Sequence, residues 1–373
     1  MGEFIKGMDL STLMEVEQCG GKFYDRGKPG DAIAILKGYG MNLVRLRLWN
    51  DPYGEDGTPY GAGTNDLPKT IAMAERLRTA GVDWMLDFHY SDFWADPGKQ
   101  TIPKAWQGMG PQALEQAVYE YTLSVLGTLR ARDCLPRMVA VGNELSNGLL
   151  WPYGKTPDFE KIVRFLNAGI RAVREGAPGA EIMRHLDNGG SNRLYRTWFD
   201  SYFAQGGLDF DCIGLSYYPF WHGTLEDLRQ NMNDLALRYH KDMIVAEVSM
   251  GFTMEDYAEY EQLEPERRKG MATKPSLAEK VPYPMTPEGQ SRFLLDLMNL
   301  IRAVPENRGK GFVYWEPAWI PVPGCGWANE AALAYTGEQG PGGNEWANQA
   351  LFDYQGNALP GLNVIREFGE EAP

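Results

Sequence analysis

The feature that most constrains this chain is an eightfold alternation of two patterns. Short apolar, β-branched runs recur at residues 4–8, 42–49, 82–89, 138–141, 181–186, 212–218, 243–246 and 311–315. Segments with apolar residues at helical spacing lie between them, at 31–39, 67–80, 111–130, 158–175, 194–205, 225–240 and 287–304. Helix starts are marked by Pro111 and by Thr286-Pro287-Glu288. Strand–helix alternation repeated eight times predicts an α/β fold, a parallel sheet closed into a (β/α)8 TIM barrel. An open doubly wound sheet would call for a Gly-rich phosphate loop after a strand, and no GxGxxG stands in such a place. The 373 residues suit one barrel domain over 1–373, with extended loops after strands three, seven and eight.

In a parallel barrel every strand ends on the same face, and active sites are built there. The segments after the strands carry Trp, His, Asp, Glu and Asn, whereas those before them are plain, as in Thr79-Ala80-Gly81. Two loops stand out, an acidic one at 249–285 and one at 321–362 rich in Gly, Asn and Trp.

Bulk charge narrows the partners. With 36 basic and 50 acidic residues the net charge is -14. That argues against a phosphate backbone, which needs a basic face, and against an anionic membrane surface. A neutral ligand is the expected partner, and good solubility alone accounts equally for the charge. No stretch has the roughly 18 uninterrupted apolar residues of a membrane helix. Cys19, Cys134, Cys212 and Cys325 form no CxxC motif, and Cys212 lies in an apolar run that suits a buried thiol. The chain opens Met1-Gly2-Glu3-Phe4 without a signal peptide. The expectation is a reduced, cytoplasmic protein, or a secreted one whose leader has been removed.

Strand four ends Val141-Gly142-Asn143-Glu144 and strand seven ends Val245-Ala246-Glu247. Each places a glutamate at the barrel mouth, on strands that face each other across the ring. Cutting a glycosidic bond needs one carboxylic acid to protonate the leaving oxygen and a second carboxylate on the other side of the sugar. Two separate ion-paired glutamates are the plain alternative, but the pair with Asn143 beside it favours catalysis. After strand three comes a polar–aromatic cluster from Asp87 to Pro97, of the kind that stacks on pyranose faces and takes hydroxyls. A catalytic metal is not expected, since the four histidines contain no i, i+2 or i, i+4 pair.

Several stretches resemble glycoside hydrolase family 53, the endo-β-1,4-galactanases. They are Gly7-Met8-Asp9-Leu10-Ser11, Val44-Arg45-Leu46-Arg47-Leu48-Trp49, Asp87-Phe88-His89-Tyr90-Ser91-Asp92-Phe93-Trp94-Ala95-Asp96-Pro97 and Gly142-Asn143-Glu144. Further along come His185-Leu186-Asp187-Asn188-Gly189, Tyr217-Tyr218-Pro219-Phe220-Trp221-His222-Gly223, Tyr314-Trp315-Glu316-Pro317-Ala318-Trp319-Ile320 and Asn348-Gln349-Ala350-Leu351-Phe352-Asp353. The resemblance implies a retaining endo-enzyme for β-1,4-galactan, with Glu144 as acid/base and Glu247 as nucleophile, and a monomer is expected. It implies that Asn143 holds the sugar 2-hydroxyl and that Arg45, His89, His185 and Tyr217 surround the carboxylates. Asp92, Trp94, Asp96, Lys99, Asn188, Trp221, Ser249, Trp315 and Trp319 complete the expected substrate contacts, with Trp94 and Trp319 as a stacking floor.

Two departures matter. Val248 follows Glu247 where the family has Thr. The loop after strand seven lacks the Asp-rich stretch followed by His and Asn that holds calcium in bacterial members, so calcium is not carried over and no cofactor is expected. A β-mannanase or cellulase-like enzyme on the same barrel, and a barrel that only binds sugar, are the rival readings.

Overall fold

Eight parallel strands close on themselves because each pairs with the next and the last returns to the first. They are β1 (Ile5–Asp9), β2 (Leu43–Leu48), β3 (Asp83–Phe88), β4 (Met138–Val141), β5 (Glu181–Leu186), β6 (Cys212–Tyr217), β7 (Asp242–Val248) and β8 (Gly309–Tyr314). Ile5 opposite Gly311 and Gly7 opposite Leu43 close the ring on both sides of β1. The structure, a computed structural model, describes residues 3–257, 274–338 and 343–369.

Helices Ala32–Gly38, Leu67–Ala80, Pro111–Ala131, Phe159–Gly176, Asn192–Ala204, Leu225–Tyr239 and Pro287–Arg302 follow the first seven strands. Their starts are chemically marked. Thr286 accepts from the Gly289 amide with Pro287 in the first turn, Pro111 opens its helix, and Thr224 forms a capping box with Asp227. The eighth helix, Gly361–Glu367, lies at the edge of what reads in the sequence as a long loop. It has only two turns, too few for helical periodicity to stand out. The 321–362 segment also carries the helix Glu330–Thr336. The acidic loop is described only up to 257 and again from 274, so most of its acidic stretch lies outside the described residues.

Strand alternation divides the core in two. Ile5, Leu43, Met85, Met138, Met183, Cys212, Ile244 and Val313 point into the barrel and fill it as a separate apolar plug. The opposite faces pack on the helices. Cys212 is buried in the plug as a free thiol, as its apolar run suggested.

β7 departs from strict alternation, and the departure matters for the site. Leu215 pairs with Val245 but Ser216 pairs with Glu247, so Ala246 is an extra residue in a β-bulge. Strict alternation from Ile244 would send Glu247 outward. The bulge turns it into the barrel with Ala246 beneath it.

Candidate active site

The polar layer of the site rests directly on the apolar plug. Two residues above Leu43, the Arg45 guanidinium donates to Asp9 Oδ2 (2.7 Å), Asp87 Oδ2 (2.7 Å), Asn143 Oδ1 (2.8 Å) and Glu247 Oε1 (2.7 Å). Burial opposes the charge on Arg45, but Asp87, Glu247 and Asp9 more than offset it and hold the group protonated. Burial likewise pushes Asp87 upward, and Arg45 and His89 outweigh it to hold that carboxyl at about 2.

β4 is followed by Gly142, whose φ of +90° suits glycine, and Glu144 itself sits at φ +46°. A non-glycine residue in the left-handed region costs about 1 kcal/mol or more, and such positions concentrate at functional sites. The turn brings Glu144 towards Glu247, and carboxylate oxygens of the two, with a His185 nitrogen, lie within 4.8 Å of one another.

The two glutamates have unlike surroundings. Glu247 has Arg45 at 2.7 Å and accepts from the Tyr218 hydroxyl at 2.8 Å. Burial is the larger effect and leaves its pKa above the ordinary carboxylate value, but both contacts favour the ionised form and keep the rise smaller than that of Glu144. Glu144 has no cation partner among the described residues. Burial, then Glu247, then Asp187 push its pKa well above the ordinary value. Two close carboxylates share their protons as a pair. The proton of this pair belongs on Glu144.

Two histidines lie beneath the carboxylates in defined tautomers. His89 Nδ1 receives N–H groups from Trp49 (3.1 Å) and from the Ala95 backbone (3.2 Å), so Nε2 carries the proton and faces Asp87 Oδ2 at 3.1 Å. His185 Nδ1 is 2.8 Å from Asn143 Oδ1, and its Nε2 is 2.8 Å from Ser216 Oγ. Burial and the nearby Arg45 keep it neutral, with a pKa of about 3. Glu144, His185 and Glu247 are the one trio of potential metal donors brought together among the described residues. Both His185 nitrogens already have partners, and a pair of facing carboxylates is what glycoside cleavage requires.

A cavity of about 120 Å³ opens over the pair, lined by Arg45, Arg47, His89, Trp94, Asp96, Asn143, Tyr218, Trp315, Trp327 and Trp346 among others. A larger cavity of about 860 Å³ beside the 321–329 segment contains neither glutamate. Asp96 is on the wall, held by the Gly98 and Lys99 amides, and Lys99 pairs with Asp96 and Glu338. Trp221 is half exposed at the rim, against Tyr218 and Trp346. Asn188, at φ +55°, follows β5 two residues beyond Leu186.

Several expectations need correction. Tyr217 does not reach the carboxylates, since its hydroxyl donates to the Gly223 carbonyl. Ser216 and Tyr218 carry the inward parity of β6, and Tyr217 between them points out. Asp92 is spent on the loop, accepting from the Lys104 amide at 2.6 Å. Ser249 turns away to donate to Gln349. Trp319 is fully buried, with its indole N–H on the Cys325 carbonyl, and does not line the cavity. Trp94 is on the wall, but it is sandwiched. Trp327 stacks on it at 4.3 Å and the Arg47 guanidinium lies over its ring at 4.4 Å, so no face is open to a sugar.

Arg47, Ser216, Tyr218, Trp327 and Trp346 join the site unannounced. Period-two reading from Arg45 and from Cys212 would have found the first three. The two tryptophans come from the 321–362 loop, where nothing local fixes position.

With this geometry in place, the chain can be set beside known proteins. Residues 5–365 match glycosyl hydrolase family 53. The chain is 37% identical over 352 residues to the endo-β-1,4-galactanase of Bacillus subtilis (strain 168), covering 90% of this chain and 78% of that protein. The solved Ignisphaera aggregans GH53 catalytic domain superposes with a TM-score of 0.89 at 39% identity, covering 98% of this chain and 96% of that one. A fungal β-1,4-galactanase structure gives a TM-score of 0.78 at 30% identity, covering 98% and 100%.

Proposed function

The chain belongs to glycosyl hydrolase family 53, and from that premise we propose that it is a retaining endo-β-1,4-galactanase that cuts β-1,4-galactan into galacto-oligosaccharides. The observation that carries this reading is the unlike pair, two buried carboxylates with oxygens within 4.8 Å of one another, only one of them paired with a cation. Retention needs carboxyl groups about 5–5.5 Å apart, whereas inversion needs roughly 6.5–9.5 Å to admit a water. The close approach fits the first.

Glu144, kept protonated by its surroundings, donates its proton to the glycosidic oxygen as the bond breaks. Glu247, ionised beside Arg45 and Tyr218, attacks the anomeric carbon and forms a covalent glycosyl–enzyme. Its charge is then lost into the new bond, and the repulsion that held the proton on Glu144 falls. Glu144 can now take a proton from the incoming water, which attacks the anomeric carbon and frees Glu247. Asn143 is fixed through Oδ1 by Arg45 and His185 and donates to the Ala95 carbonyl. That leaves one N–H of its amide for the sugar 2-hydroxyl. Trp315 and Trp346 at the wall supply apolar surface for the ring faces.

The product profile from galactan tests the reading. Galacto-oligosaccharides released from the polymer with the β-configuration in the first-formed product support it. Release from mannan but not galactan would overturn it. A GH113 β-1,4-mannanase shares only the fold, at 13% identity.

A further inference from the structure

The hydrogen-bond chain under Glu144 has one proton too few for the usual arrangement. Ser216 Oγ lies 2.6 Å from Glu144 Oε1 and 2.8 Å from His185 Nε2, yet a serine hydroxyl carries one hydrogen. The far end of the chain decides where that hydrogen goes. Asn143 Oδ1 accepts from Arg45 at 2.8 Å while Asn143 Nδ2 donates to the Ala95 carbonyl at 2.8 Å, so the amide cannot be flipped. His185 Nδ1, 2.8 Å from that same oxygen, must therefore be the donor. A second proton on the ring is disfavoured by burial and by Arg45, which leaves Nε2 bare. Nε2 needs a donor, and Ser216 is the one within reach.

We propose that Ser216 is a positioning residue whose hydroxyl, in the free enzyme, donates to His185 and accepts a hydrogen bond from the protonated Glu144 Oε1, so that the Ser216–His185 pair holds the catalytic proton on Glu144. The proposal rests on the assignment of Glu144 as the acid/base. With Glu144 protonated both hydrogen bonds are made. With Glu144 ionised, Ser216 must turn to the carboxylate and abandon a buried imidazole nitrogen, which is costly. The same turn accompanies catalysis. A half-turn of the Glu144 carboxyl about Cγ–Cδ carries the protonated oxygen to the leaving oxygen and brings the bare oxygen to Ser216, which swings to donate to it. It swings back when Glu144 recovers a proton from water. A serine beside a carboxylate ordinarily favours the ion. Here His185 reverses the sign.

The other titratable groups facing Glu144 are Glu247 from β7, Asp187 after β5, Asp96 after β3, Tyr218 after β6 and Tyr195 from the helix after β5. None is touched by removing the serine hydroxyl. The basic limb of kcat/KM, which reports the acid of the free enzyme, is therefore the readout. Ser216→Ala should move that limb down by about half to one pH unit, the size of one lost hydrogen bond. A limb that stays in place or moves up overturns the proposal while leaving the galactanase reading intact, whereas absence of galactan cleavage by the unmodified enzyme overturns that reading. A second measurement needs no variant at Ser216. With four histidines in the chain, the 15N resonances of the imidazoles can be followed in the intact protein, His185 being assigned by its loss in His185→Gln. The ring should be the neutral Nδ1–H tautomer, and its Nε2 signal should shift as Glu144 titrates. An Nε2–H tautomer, or an Nε2 signal indifferent to that titration, overturns the proposal.

Discussion

Arg45 Nη2 lies 2.7 Å from Glu247 Oε1, and the same nitrogen reaches Asp87 and Asn143. One guanidinium thus fixes the ionised carboxylate, the residue beneath it and the amide beside it. Nη1 at the same time holds Asp9 at 2.7 Å, and an ammonium group, with a single nitrogen, cannot span this fork. Arg45→Lys should lower kcat/KM by at least about a hundredfold, the scale of a buried charge-assisted contact plus lost orientation. Near-normal turnover in a folded Arg45→Lys protein would contradict the role.

Tyr217 and Tyr218 are neighbours in sequence with opposite destinations. Tyr218 donates to Glu247 Oε2 at 2.8 Å, and Tyr217 donates to Gly223 at 3.0 Å. Hydrogen bonds to charged groups contribute about 1.5–3 kcal/mol. Tyr218→Phe should therefore cost roughly 10- to 100-fold in kcat, while Tyr217→Phe leaves kcat within about twofold. Steady-state kinetics on both variants distinguishes them, and the reverse ranking would show that Tyr217 faces the site after all.

The tryptophans separate in the same way. Trp94 lies between Trp327 and Arg47 with 6% of its surface exposed, whereas Trp221 is 41% exposed at the rim. Trp94→Ala should destabilise the fold by about 3–5 kcal/mol through the cavity it leaves. Trp221→Ala should keep the Tm and raise KM for long galactan chains. Thermal melts with kinetics check both, and a stable Trp94→Ala protein with weak substrate binding would restore the open stacking floor.

Acid stability follows from Asp87. Its carboxyl is held at about 2, below the usual unfolded value of about 3.9. A depressed pKa contributes stability that is fully present above about pH 4 and is lost as pH falls through about 2. Asp87→Asn should therefore be less stable at neutral pH and should lose less Tm than the unmodified protein between about pH 4 and 2. An equally steep loss in the variant would contradict it.

How much of this was legible in the sequence depends on what fixes each residue. Periodicity sets the strands, so the barrel and the place of Asn143 at the end of strand four could be read directly, whereas Arg45 came in through the resemblance. Glu247 was found for an incomplete reason, because its direction depends on a bulge at Ala246 that no local pattern announces. Tyr218 was missed although strand parity contained it, and resemblance drew attention to Tyr217 instead. Trp94 and Trp319 were expected to be open because aromatics near a barrel mouth often are. Their burial is set by Trp327 and Cys325 from a distant loop whose course the sequence does not specify.

The assignment of roles to Glu144 and Glu247 is tested most directly by removing each carboxylate and offering azide. With an activated aryl β-galactoside, Glu144→Ala should still form the glycosyl–enzyme, because a good leaving group needs no acid. Azide, which needs no base, should then restore turnover and give the β-galactosyl azide. Glu247→Ala should lose nearly all activity on every substrate. Rescue of Glu247→Ala to the α-azide is compatible with this assignment, since azide then takes the nucleophile's place. A β-azide from Glu247→Ala, together with a Glu144→Ala enzyme that azide leaves inert, would contradict it.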